Sequence, residues 1–186
     1  MTSNSVSNPK LTSIAPPPAQ PIGTGSPEKW ADLEKRWGMK FPSQFMMLID
    51  LYGNGRFADF VGFPSPFYVP TRKGITYEKF IKLRFDGLLW TRENIPHHAF
   101  PLDHPTDVFP FGYTDNGGTF FWLKNGSCEE WPIIYMDNGY TKDESETFNI
   151  PLWNFLEGWL TGSLIPKFSP PDFFPLPEPI FLRLTE

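Results

Sequence analysis

Three imidazoles and a carboxylate crowd one stretch of this 186-residue chain. His97, His98, Asp103 and His104 are residue types that hold zinc. Their spacing matches no zinc motif, and Pro96, Pro101 and Pro105 turn the stretch into a wandering loop, so no metal site is expected. Cys128, the only cysteine, is a candidate nucleophile. Glu129 and Glu130 beside it oppose a thiolate, which favours a packing role. Gly53, Gly55 and Ala58 spell a Gly-x-Gly-x-x-Ala dinucleotide fingerprint, which needs a strand before it and a helix after it. Here a helical period precedes it, and Pro64 and Pro66 follow. A helix stop running into a turn fits better. Asp115 and Asn116 could seed a cation loop, but the further acids and the closing Glu are missing. The expectation is a chain with no catalytic residues and no cofactor.

Charge is more informative. Six acids (Glu129, Glu130, Asp137, Asp143, Glu144, Glu146) lie between positions 129 and 146, against one base, Lys142. Between Thr71 and Arg92 the balance reverses, with Arg72, Lys73, Lys79, Lys82, Arg84 and Arg92 against Glu78 and Asp86. Two solvated faces would explain this. The functional reading is that the acidic stretch steers a basic protein partner such as a nuclease, with Tyr113 and Asp115 nearby. Seven tryptophans invite a base-stacking role, but stacking platforms come with a basic groove, and the net charge is −5. Trp30, Trp37, Trp153 and Trp159 fall on apolar helical faces, so core packing is expected and direct nucleic-acid binding is not.

These residues must be held by a scaffold. Ser26 and Pro27 start a helix in which Trp30, Leu33 and Trp37 share a face, and Gly38 stops it. A second helix begins near Pro42, carries Phe45, Leu48, Ile49 and Tyr52 inward, and closes at Gly53. Phe57 to Gly62 reads as one short strand, and Thr76 to Phe85 as a third helix; Trp90 to Asp107 is irregular. Val108–Tyr113, Thr119–Lys124, Trp131–Met136 and Glu146–Ile150 read as an antiparallel meander, with Asn-Gly turns between the first strands. Pro151 opens a last helix bearing Leu152, Phe155, Leu156, Trp159 and Leu160, ended by Gly162.

The predicted fold class is therefore α+β, a twisted, mostly antiparallel sheet covered by helices in a single domain. Three segments are expected: a flexible Pro/Ser-rich leader over 1–25, the domain over 26–164, and a Pro-rich tail over 165–186 that packs on it. The lone cysteine, together with the lack of a signal peptide and of a long apolar run, predicts a cytoplasmic protein without membrane contact.

The order of short motifs resembles the SUKH superfamily, the Smi/Knr-like group of cell-wall regulators and bacterial immunity proteins. Trp30 with Leu33 and Glu34, Phe41-Pro42, and Leu51-Tyr52-Gly53-Asn54-Gly55 match its first part. Phe111-Gly112, Asp115-Asn116-Gly117-Gly118 and Trp122 match the second, and the helix with Phe155, Leu156 and Trp159 the last. Gly118 stands where relatives often carry an acid, and 63–105 and both tails have no counterpart. The resemblance implies a non-enzymatic fold. Bacterial relatives commonly neutralise a toxin encoded beside them; fungal ones act as regulatory hubs. The expectation is an immunity protein that occludes the active site of a cognate polymorphic or contact-dependent toxin. The alternative is a regulatory adaptor whose Pro-rich tails recruit other proteins.

Overall fold

The computed structural model describes residues 9–70, 74–170, 173–174, 176 and 180–184. Helices α1 (Pro9–Ile14), α2 (Pro27–Trp37) and α3 (Ser43–Tyr52) precede strands β1 (Gly55–Phe57) and β2 (Val61–Phe63). Then come α4 (Tyr77–Asn94), β3 (Val108–Thr114), β4 (Thr119–Leu123), β5 (Ile133–Met136), β6 (Ser145–Phe148), α5 (Leu152–Leu160) and β7 (Phe181–Arg183). The strands form one antiparallel sheet in the order β6-β5-β4-β3-β2-β1-β7. This is the α+β architecture expected from the sequence.

Local chemistry sets the helix ends. The Ser26 hydroxyl accepts the Lys29 N–H, Pro27 sits where no donor is needed, and Gly38 at φ 63° donates to the Glu34 carbonyl. Pro42 closes the approach to α3, its carbonyl accepting from Phe45 and Met46.

Both faces of the sheet are covered, so β4 and β5 read as unbroken apolar runs rather than as alternating ones. On one face Phe111, Phe120, Trp122 and Tyr135 meet Trp30, Leu33, Phe45, Phe155 and Trp159 from α2, α3 and α5. Trp122 stacks on Phe111 at 4.0 Å and takes the edge of Phe45 at 4.9 Å. On the other face Phe121, Ile134 and Met136 pack under Leu88 of α4, Phe100 and Tyr140.

Three expectations are corrected. Residues 1–25 were expected to be a flexible leader, but those described from Pro9 onward are built into the fold. Leu11 and Ala15 are fully buried, the Tyr52 hydroxyl donates to the Ala15 carbonyl at 2.7 Å, and Ile22 bridges to Gly53. These contacts seat the segment on the domain. The single strand over Phe57–Gly62 is a hairpin, because Ala58 and Asp59 take φ of 50° and 51° and turn the chain without a glycine. Helix α4 continues past Phe85 to Asn94, through Gly87, whose bare Cα faces the Tyr140 ring. The tail residues Phe168, Phe173 and Phe181 pack on Tyr135, Trp159 and Tyr52.

Candidate functional site

The antiparallel register sends three connections to one end of the sheet: the β1–β2 turn (58–60), the β3–β4 turn (115–118) and the β5–β6 loop (137–144). They are knitted together. The Asp115 N–H donates to the Phe60 carbonyl at 2.9 Å, and the Asn138 amide donates to the Asn116 carbonyl at 2.7 Å. Gly117 makes this contact possible, since it holds φ 97° and a Cβ there would meet the Asn138 side chain. The end carries Asp59, Asp115, Asp137, Asp143 and Glu144, against Arg56, Lys142 and Arg84.

Arg56 is the anchor of this end. It pairs with Asp59 at 2.9 Å and with Asp115, and its neighbours across the sheet are Gly62 and Tyr113. Gly62 is required there because a Cβ would lie 2.3 Å from the Tyr113 ring. Tyr113 also packs on Phe80, and burial raises its phenol above the ordinary range. Arg84 donates to the Gly117 carbonyl at 3.1 Å while lying over the Phe80 ring. Asp137 accepts the Asn138 N–H at 2.8 Å and the Tyr135 hydroxyl at 3.3 Å, and Glu144 accepts the Thr141 hydroxyl at 2.9 Å. Asp143 and Glu144 are exposed.

The acidic stretch read from the sequence is therefore not one surface. β5 runs between its two parts, leaving Glu129 and Glu130 at the opposite end of the sheet from Asp137, Asp143 and Glu144. Glu129 is occupied at the start of α3, where it accepts from Ser43. Glu130 is exposed beside it. Glu146 lies on edge strand β6 and accepts the Lys167 N–H at 2.8 Å. Tyr113 and Asp115 do join the Asp137–Glu144 end. Asp59 and Arg56 were missed because the β1–β2 turn was not seen; an Asp between two aromatics at a chain reversal was the available signal. Of the basic stretch, Arg72 and Lys73 lie outside the described residues.

The Cys128 thiol donates to the Phe41 carbonyl at 3.8 Å, a packing contact. Among the described residues no three His, Cys, Asp or Glu converge on a metal position. Burial, then the neighbouring Glu129, pushes the Cys128 thiol up, away from the reactive thiolate. A cleft of about 150 Å³ beside Tyr113, Tyr68, Phe80 and Arg84 is below the size of ordinary ligand pockets. A larger trough of about 640 Å³ lies along α2 between Lys29, Lys35, Arg36 and Phe67.

The order and geometry of these motifs agree with a comparison against known families. The family model SUKH_6, SMI1-KNR4 cell-wall, matches residues 27–150. This chain belongs to the SUKH superfamily. No curated protein and no solved structure matches it.

In this SUKH domain the family-motif residues serve the scaffold. Trp30 is buried and donates its indole N–H to Asp50 at 3.0 Å; Trp122 is at the centre of the ring stack. Pro42 enters α3, and Tyr52 ties α3 to the N-terminal segment. Gly53 and Gly55 let the chain pass Ile22 and Phe181, whose atoms stand 2.2 Å and 2.3 Å from where a Cβ would be. Gly118 leaves room for Tyr135, whose hydroxyl stands 2.1 Å from where a Cβ would be. Among the described residues no helix is long and apolar enough to cross a membrane.

Proposed function

We propose that this SUKH protein is a non-enzymatic immunity protein that binds a basic toxin domain through the acid-rich end of its sheet. The carrying observation is the convergence of Asp59, Asp115, Asp137, Asp143 and Glu144 on three interlocked loops, with Asp143 and Glu144 turned to solvent. Such a rim steers a basic partner and fixes its orientation. The loops are cross-linked before binding, which lowers the cost of ordering them against a partner, and a partner docked there with its active site facing the rim would be occluded.

The adaptor reading assigns recruitment to the Pro-rich tails. Its support is weakened by the packing of residues 9–25, whose removal would take Leu11 and Ala15 out of the core. The test is expression of the product of the adjacent reading frame, alone and together with this protein. Rescue from toxicity supports the immunity reading; a harmless neighbour, or toxicity that persists on co-expression, removes it.

A further inference from the structure

Helix α4 is apolar on two sides. Its inner side, with Tyr77, Phe80, Ile81 and Leu88, is buried. Its outer side carries Leu83 at 50%, Leu89 at 41% and Trp90 at 64% exposure, the largest such group on one element among the described residues. An exposed tryptophan two turns from an exposed leucine is a seam without a partner.

The charges along this seam say what fits it. Lys79, Leu83, Asp86, Trp90 and Glu93 follow at i, i+4, i+7, i+11 and i+14, one stripe in which Lys79 and Glu93 are equidistant from Asp86 and Leu83 and Trp90 are so to within one residue, about 1.5 Å along the helix. The cation is at one end and the anion at the other. A twofold axis beside Asp86, with two α4 helices antiparallel, sets Lys79 level with the partner's Glu93 and Leu83 within one residue of the partner's Trp90, each twice. Asp86 meets its own copy at the axis, but Lys82 holds each carboxylate at 2.6 Å, so the centre is a neutral group of four charges. The stripe is thus self-complementary in both charge and apolar position.

We infer that α4 is a self-association seam and that its occupant is a second copy of this chain. The 18-residue helix is about 27 Å long, and one helix per copy places the contact among small interfaces. The dimer is therefore weak and reversible. It uses a surface separate from the acid-rich loops and does not depend on the immunity reading.

Sedimentation velocity of the full chain from about 1 µM to about 500 µM reads the mass directly. The expected result is a shift from monomer to dimer across that range. Leu83→Glu with Trp90→Glu leaves a monomer with an unchanged circular dichroism spectrum. Lys79→Glu alone weakens association by about tenfold, because it opposes two carboxylates at each end. Lys79→Glu combined with Glu93→Lys restores it. A chain that stays monomeric throughout, which would leave the seam to a different protein, overturns the inference. So does a dimer indifferent to these charges, or one that the double reversal fails to restore.

Discussion

The Glu129 carboxylate caps α3 across 86 positions of chain, accepting the Ser43 N–H at 2.9 Å and the Ser43 hydroxyl at 2.7 Å. Pro42, the residue before the helix, has no side chain able to do this. A carboxylate at a helix N-terminus also complements the helix dipole. Glu129→Gln keeps one acceptor, whereas Glu129→Ala leaves the first turn to water. We expect Glu129→Ala to lower stability by about 1 kcal/mol and Glu130→Ala to leave it unchanged, as read by urea denaturation.

The N-terminal segment is part of the core. Leu11→Ala should destabilise the protein by about 2–4 kcal/mol, since a fully buried leucine is removed against α5. Thermal or urea unfolding reads the loss directly. An unchanged midpoint would show that this segment is not seated on the domain.

Gly118 and Tyr135 compete for one space. Gly118→Asp should cost about 1–3 kcal/mol because the Tyr135 ring must move. In a Tyr135→Ala background the same change should be far less damaging. A double-mutant cycle in urea measures the coupling.

Tyrosine burial predicts alkaline instability. Burial pushes the Tyr135 phenol up to about 12 and raises those of Tyr52, Tyr77 and Tyr113. An unfolded phenol ionises near 10, so above that pH the unfolded chain has released protons that the fold retains. Stability is fully present below about pH 10 and falls as pH rises toward about 12. The Tyr77 hydroxyl is buried without a partner among the described residues. Tyr77→Phe should therefore raise stability by about 1 kcal/mol at pH 7 and flatten the alkaline loss, as followed by urea midpoints against pH.

How much the sequence disclosed depended on the kind of signal. The ends of α2 were legible because Ser26, Pro27 and Gly38 are local chemistry. The meander was legible because Asn-Gly turns separate aromatic runs. The β1–β2 hairpin was hidden, since Ala58 and Asp59 turn left-handed without glycine. The full length of α4 was hidden by Gly87, whose neighbour Tyr140 is 53 positions away. The acidic stretch looked continuous because linear spacing carries no information about which end of an antiparallel strand a residue occupies. Its division by β5 leaves Glu129 as a helix cap and Asp143 and Glu144 as exposed charge.

The central claim is that the acid-rich loops, not the acids before β5, bind a basic protein. Calorimetric titration of the purified product of the adjacent reading frame with this protein tests it most directly. Asp143→Lys with Glu144→Lys should weaken binding by at least about tenfold, while Glu130→Lys leaves it intact. Binding that survives the loop reversal, or that is lost with Glu130→Lys, would contradict the account.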